Sequence, residues 1–168
     1  REKLEAVPAV FHENNSGDKG IQIVSSGPDV PKEEDKRAFM RMITYAQKNV
    51  YVQTPYFIPD SSIIESLKMA AQSGIDVRVM IPCMPDHIFV YWATYSYVGD
   101  LIKSGVRVFI YDEGFLHAKT LVVDGQVATV GSTNFDNRSF RLNFETNAFV
   151  FDEEFAQLME RTYEKDME

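Results

Sequence analysis

Two side chains that can handle a phosphate group stand two residues apart in the second half of the chain. His117 and Lys119 directly precede a β-branched run, and residues i and i+2 of an extended segment point to the same face. An ammonium group can bind non-bridging phosphate oxygens, and an imidazole can act near neutral pH as a nucleophile or as a proton donor. The pair therefore predicts a phosphate site with His117 and Lys119 as catalytic residues.

Further polar residues follow along the chain. Gly131 allows a close approach of the backbone to a ligand, and Ser132 and Asn134 offer hydrogen bonds to phosphate oxygens. Glu145 is a candidate to accept a hydrogen bond from one ring nitrogen of His117, which would fix the tautomer of the imidazole. We therefore expect Ser132 and Asn134 to bind phosphate and Glu145 to orient His117.

Asp124 and Gly125 stand between two apolar runs, a pattern typical of a tight β-hairpin. Aspartate suits such a turn for backbone reasons alone, so a structural role that tunes geometry is favoured for Asp124. It is also a candidate catalytic residue, because it occupies a fixed position in the motif that the flanking residues form.

That motif, His117-x-Lys119-x4-Asp124-x6-Gly131-Ser132-x-Asn134, resembles the HKD motif of the phospholipase D superfamily. Four flanking segments are similar to the second half of bacterial cardiolipin synthases: 22–28, 54–60, 85–93 and 138–145. In that family two HKD halves pair about a pseudo-two-fold axis and form the active site at their seam. Because this sequence has one motif, the resemblance implies a partner, either an N-terminal HKD half of the same chain or a second copy in a homodimer.

The resemblance also implies a chemistry, which is metal-independent and needs no cofactor. One motif histidine would attack phosphorus to give a phosphohistidine, and the other would protonate the departing alcohol. Lys119 and Asn134 would stabilise charge on the transferring group, with help from Ser132. The likeness to the second half favours His117 as the general acid and base, although the sequence leaves the identity of the nucleophile open.

In cardiolipin synthases two phosphatidylglycerol molecules give cardiolipin and glycerol. The resemblance therefore implies an anionic phospholipid substrate, a membrane surface as partner, and a location at the bacterial inner membrane on its cytoplasmic side. The membrane anchor would lie outside this sequence.

Composition narrows the function classes. The 17 Lys and Arg residues against 25 Asp and Glu give a net charge of −8, which argues against a nucleic acid as partner. Cys83 is the single cysteine, so an internal disulfide and a thiolate zinc site are excluded. The sequence has no run of about 18 apolar residues, and its start at Arg1 without a leader is interpreted as that of a piece of a longer protein.

Short β-branched runs alternate with helical stretches, which is typical of an α/β fold. Strands are predicted at 21–25, 50–54, 77–81, 106–111, 120–123, 127–130 and 148–151, and helices at 33–47, 61–73, 87–103 and 152–168. We expect a mixed, mostly parallel sheet flanked by helices, with one antiparallel hairpin at 120–130. Residues 1–19 are interpreted as a linker from a preceding region and residues 20–168 as a phospholipase D-like catalytic half-domain.

Two further residues are candidates for substrate or lipid contact. Tyr56 lies in a turn between prolines at a strand end, where α/β proteins often bind ligands, although such a turn also serves packing. His87 stands at an expected helix start, where capping is the favoured explanation. In the helix that follows, Tyr91, Trp92, Tyr95 and Ile102 are predicted on the core side, with Leu101 on the opposite side.

Three interpretations of function remain open. A phosphatidyltransferase of the cardiolipin synthase type leads, because the flanking matches and the acidic charge favour it. A related phosphodiesterase or nuclease that works as a one-motif homodimer is the enzymatic alternative. The third interpretation is a half-site that is inactive without the other half, and it is compatible with the phosphatidyltransferase interpretation.

Overall fold

The chain is organised around a seven-stranded sheet with helices on both faces, in a computed structural model that describes residues 17–29, 32–83 and 88–167. The strands are β1 Gly20–Ser26, β2 Asn49–Gln53, β3 Phe57–Ile58, β4 Asp76–Pro82, β5 Arg107–Tyr111, β6 Thr120–Val123, β7 Val127–Gly131, β8 Phe135–Asp136 and β9 Glu145–Phe151. The helices are α1 Glu34–Tyr45, α2 Ser61–Gln72, α3 Ile88–Lys103, α4 Asn137–Arg141 and α5 Glu153–Lys165.

Each strand and helix expected from the sequence is present, with shifts at its ends. β3, β8 and α4 are additional, because elements of two to five residues are too short to show a hydrophobic period. The linker expected at 1–19 and the candidate His87 lie largely or wholly outside the described residues and stay predictions.

The strand order is β1-β9-β7-β6-β2-β4-β5, with β3 and β8 paired separately. The α/β class and the mixed sheet flanked by helices are confirmed. Parallel pairing, however, is confined within this sheet to β2, β4 and β5, which α2 and α3 connect, and its other four pairings are antiparallel. The reason lies in the connections, because neither the turn between β6 and β7 nor the segment with β8 and the short α4 provides a crossover helix that spans the sheet.

The hairpin expected at Asp124 and Gly125 is confirmed. Both residues have positive φ, 57° and 62°, and Val123 pairs with Val127 across the turn. Gly125 adopts this backbone without strain, and aspartate is among the few other residues that tolerate it.

Two apolar layers hold the sheet. α1, α2 and α3 cover one face, where Phe39 of α1 stacks on Phe135 with ring centroids 5.0 Å apart. α5 covers the other face, where Tyr163 stacks on Tyr51 at 5.0 Å. The side chains of Tyr51, Met80, Leu116 and Tyr163 form a cluster on this second face, which we call the α5 cluster. Among the described residues no helix is both long and apolar enough to cross a bilayer.

The orientation expected for α3 is wrong in part. Leu101 is 0% exposed, whereas Trp92 and Ile102 are 67% and 55% exposed. Tyr95, Tyr97 and Val98 pack against the core. Because this helix is apolar nearly all round, its hydrophobic period does not define which side faces the sheet, and packing decides.

Candidate active site

The segment that carries His117 and Lys119 leads from β5 into β6. Leu116, buried in the α5 cluster, anchors this segment directly before His117. His117 is exposed and stacks on Phe115 with ring centroids 5.6 Å apart. The imidazole is therefore accessible to a substrate or to a second protein surface.

Lys119 is half-buried, and its Nζ donates a hydrogen bond to the carbonyl oxygen of His117 at 2.9 Å. Desolvation lowers the pKa of its ammonium group, and the negative charges of Glu145 and Asp136 partly oppose that shift. The structure thus brings Lys119 close to two carboxylates in a partly dehydrated environment, where its charge acts more strongly than in water.

Glu145 begins β9 and is buried. It accepts hydrogen bonds from Ser132 Oγ and from Asn143 Nδ2, the latter at 3.0 Å. Ser132 Oγ in turn accepts from the backbone N–H of Thr146 at 3.0 Å. The single hydroxyl hydrogen of Ser132 is therefore used on Glu145 and is not available to a phosphate oxygen in this arrangement.

The hydrogen bond expected between Glu145 and His117 is not formed among the described residues. Glu145 bonds to Ser132 and Asn143 instead. The physical reason is position, because Glu145 lies buried at the start of β9, where it pairs with the last residue of β1, while His117 lies on an exposed segment. The Glu145 charge raises the pKa of Lys119 against the desolvation, and its carboxylate accepts the Ser132 hydroxyl hydrogen.

Asn134 and Asp136 complete the polar group. Asn134 is buried and donates from Nδ2 to Ser139 Oγ at 3.3 Å. Asp136 accepts from the backbone N–H of Ser139 at 2.8 Å and so caps α4. Burial raises the pKa of the Asp136 carboxyl group. Asp136 is not a motif position, and it was not predicted from the sequence. The available signal was an aspartate three residues before a serine, which is typical of a helix N-cap.

An open cleft of about 320 Å³ adjoins this group. Its lining residues are Tyr56, Ile58, Asn134, Asp136, Asn137, Arg138 and Asn143. The structure thus places Tyr56 beside the motif residue Asn134 and beside Asp136, although substrate contact by Tyr56 stays a prediction. The cleft is large enough for a polar headgroup beside Asn134 and Asp136.

Asp124 lies elsewhere. It stands at the end of β6 opposite to the end that Lys119 precedes. Its carboxylate accepts hydrogen bonds from the backbone N–H groups of Gln47, Lys48 and Asn49 at 2.8, 2.7 and 3.0 Å. The structure therefore does not bring Asp124 to the site. Instead, the Asp124 carboxylate links the hairpin to the connection between α1 and β2.

A family profile described as "Cardiolipin synthase, PLD-like domain" matches residues 39–167. The chain belongs to this family. All the site residues described above fall inside the matched range, so the PLD-like domain contains the HKD motif, Glu145, Asp136 and the cleft.

Named relatives are similar over much of the chain. The major cardiolipin synthase ClsA of Bacillus subtilis is 54% identical over 151 residues, which cover 90% of this chain and 31% of that protein. A cardiolipin synthase of Listeria monocytogenes is 54% identical over 157 residues, covering 94% of this chain and 32% of that protein. The chain therefore spans about a third of the length of these relatives.

Solved structures share the fold. Nuc of Salmonella typhimurium, a phospholipase D family member, superposes with a TM-score of 0.75 at 18% identity, covering 88% of this chain and 93% of that chain. The phosphatidylserine synthase of Haemophilus influenzae superposes with a TM-score of 0.67 at 15% identity, covering 87% of this chain and 38% of that chain. At these identities the likeness concerns the PLD-like fold.

The PLD-like domain is expected to lose stability, and not catalysis, when Asp124 is replaced by alanine. Three backbone hydrogen bonds disappear and a positive φ must be kept, so the free energy of unfolding should fall by about 2 kcal/mol. Asp124→Asn, which tolerates this φ and keeps an acceptor, should lose less. Urea unfolding measures the change, and unaltered stability with a strongly reduced kcat would return Asp124 to the catalytic group.

Glu145→Gln is expected to lower the pKa of Lys119 further, because the carboxylate that supports the ammonium charge is removed. Any activity that depends on the Lys119 charge should fall in part, and its decline at alkaline pH should begin at a lower pH than in the wild type. NMR titration of the Lys119 side chain measures the shift directly. Asp136→Asn is the matched control and should move the same pKa in the same direction by less, and an unchanged pKa in both variants would contradict the electrostatic link.

Proposed function

We propose that this chain supplies one HKD half of a cardiolipin synthase. The reaction transfers the phosphatidyl group of one phosphatidylglycerol to a glycerol hydroxyl of a second and releases glycerol. The observation that carries the proposal is the partly desolvated Lys119 ammonium, which lies two residues after the exposed His117 and interacts with the charges of Glu145 and Asp136, within the matched family range.

The reaction has two steps at phosphorus. A histidine nitrogen attacks, an N–P bond forms, and the P–O bond to glycerol breaks as the second histidine gives that oxygen a proton. The second phosphatidylglycerol then gives its hydroxyl proton to the same histidine, its oxygen attacks, and the N–P bond breaks. His117 suits the acid and base role, and its exposure fits a site that a second HKD half completes.

Lys119 and Asn134 are proposed to hold the phosphate oxygens. Lys119 provides a positive charge in a partly dehydrated position, and Asn134 has one amide hydrogen left after its bond to Ser139. Ser132 supports this arrangement through Glu145. Charge stabilisation and positioning are the main requirements of phosphoryl transfer.

Partner and location follow from the same proposal. The chain spans about a third of the curated cardiolipin synthases it matches, so the second histidine would come from an N-terminal HKD half or from a second copy. The phospholipid substrate would be reached at a membrane surface, the cytoplasmic side of the bacterial inner membrane.

The test measures cardiolipin and free glycerol formed from phosphatidylglycerol vesicles without added metal. One sample contains this chain alone with its solution mass recorded, and another contains the chain in place of the aligned third of the Listeria monocytogenes synthase. Each is paired with its His117→Ala variant. Cardiolipin that depends on His117 in either sample supports the proposal, and none in either sample would overturn it.

A second candidate is a phosphodiesterase or nuclease that acts as a one-motif homodimer. It is favoured by one observation, namely that the fold of this chain covers 93% of the Nuc chain, a phospholipase D family member of similar size. Cleavage of bis(4-nitrophenyl) phosphate or of DNA by a dimer of this chain, with no cardiolipin formed in any sample, would select this function. The net charge of −8 counts against DNA.

A further inference from the structure

A buried carboxylate lies behind the turn that carries Ser132 and Asn134. Asp35, in the first turn of α1, is 0% exposed. Its Oδ2 accepts hydrogen bonds from Ser26 Oγ at 2.9 Å and from Thr133 Oγ1 at 2.6 Å. One carboxylate therefore joins the end of β1, the start of α1 and the turn that follows β7.

The Thr133 side chain connects that turn to buried residues on the side away from the cleft. It is 0% exposed, and its hydroxyl both donates to Asp35 and accepts from Asn147 Nδ2 of β9. Its neighbours Ser132 and Asn134 contact Glu145 and the cleft. A shift of Thr133 would therefore move both site residues together.

The backbone around the turn is tightly fitted. Ser132 N–H donates to the Thr146 carbonyl at 3.0 Å, and Phe135 N–H donates to Thr54 Oγ1 at 3.2 Å. A Cβ at Gly131 would overlap atoms of β9, so only glycine fits there. The turn thus has defined backbone anchors at each end, and the Thr133 hydroxyl between them.

A contribution to the free energy of folding does not explain why position 35 is a buried aspartate. Among the described residues it has no Lys or Arg as ion-pair partner, and its Oδ1 has no hydrogen-bond partner. A buried carboxylate with incomplete pairing is less favourable for folding than an apolar residue of similar volume. The best attested use of such buried polar groups is to fix one geometry.

We propose that Asp35 and Thr133 form a positioning pair that fixes the Ser132–Asn134 turn against the phosphate site. Neither residue touches the substrate, and both act through Ser132 and Asn134. The consequence for catalysis rests on the proposed function, whereas the consequence for the turn itself does not.

The first test compares two isosteric threonine replacements in the preparation that forms cardiolipin. Thr133→Val removes the hydroxyl that bonds to Asp35, and kcat is expected to fall about tenfold with KM within about twofold of the wild type. Thr129→Val is the matched control, because Thr129 of β7 is 1% exposed and its hydroxyl has no partner. Thr129→Val and Thr133→Ser, which keeps the hydroxyl, should both retain about the wild-type kcat.

The second test needs no activity. In the 168-residue chain, amide hydrogen exchange at Ser132 and Phe135, measured by NMR, should be about tenfold faster in Thr133→Val and unchanged in Thr129→Val. Asp35→Asn keeps one oxygen that can accept from both hydroxyl donors, so exchange at Ser132 and Phe135 should stay well below that in Thr133→Val.

Unchanged exchange in Thr133→Val, or a kcat equal to that of Thr129→Val in an active preparation, overturns the proposal. If Thr133→Val does not fold, Asp35→Asn and Thr133→Ser are measured instead. Both keep a hydrogen bond between residues 35 and 133, so faster exchange at Ser132 and Phe135 in both variants would contradict the proposal. Failure of the proposed function is recognised separately, because the wild type then forms no cardiolipin while the exchange difference between the two valine variants persists.

Discussion

Replacing His117 with alanine is expected to stop cardiolipin formation, with kcat lowered by about 10³-fold or more. His117 is the histidine of the motif, and an imidazole can take or give a proton at the reacting oxygen. His117 is exposed, and the ring it stacks on, Phe115, is itself 51% exposed, so the alanine variant loses little buried packing. The variant should therefore unfold at nearly the same temperature as the wild type.

Two measurements separate lost chemistry from lost structure. Added imidazole should restore part of the rate in His117→Ala, because the position is open to solvent. Phe115→Leu removes the stacked ring and keeps the imidazole, so it should retain most of the activity. Near-normal turnover in His117→Ala would remove His117 from the mechanism.

Replacing Lys119 with methionine is expected to lower kcat/KM by about 10²- to 10³-fold, because a charged donor to the transferring phosphoryl group is lost. The methionine keeps the length of the side chain without its charge. Since the Lys119 ammonium is desolvated in the folded protein, removing it should not reduce stability at neutral pH. Steady-state kinetics and thermal unfolding measure the two effects.

The control is Lys103→Met, since the Lys103 side chain is 81% exposed at the end of α3 and should be neutral for activity. The pH dependence gives a further check. Because folding lowers the pKa of Lys119, the unfolded chain binds the extra proton, and stability rises with pH between the folded and the ordinary pKa. Lys119→Met should lack this rise, and equal kcat/KM for both methionine variants would exclude Lys119 from the site.

Local patterns account for the features that the sequence predicts correctly. The seven longer strands, the four long helices and the Asp124–Gly125 hairpin follow from hydrophobic period and turn chemistry, which neighbouring residues determine. The motif residues can be named because their spacing resembles a family pattern. For Asp124 the hairpin signal is the correct one, and the motif position alone does not place it at the site.

Contacts between distant residues account for the features that the sequence does not predict. Spacing and residue type favour His117 as the partner of Glu145, but the pairing of β7 with β9 brings Ser132 to Glu145. Asp136 enters the site because β8 pairs with β3, and both strands are two residues long. The side of α3 that faces the sheet depends on packing, because its sequence is apolar on several sides.

The sequence by itself therefore determined the α/β class, the position of the hairpin and the residue types available for phosphoryl transfer. Only the tertiary structure decided which of these residues interact: the charges of Glu145 and Asp136 act on Lys119, and Thr133 donates a hydrogen bond to Asp35 across 98 positions of the chain. The physical reason is that turn and period signals arise within a few residues, whereas hydrogen bonds and charge interactions at the site depend on strand order and burial.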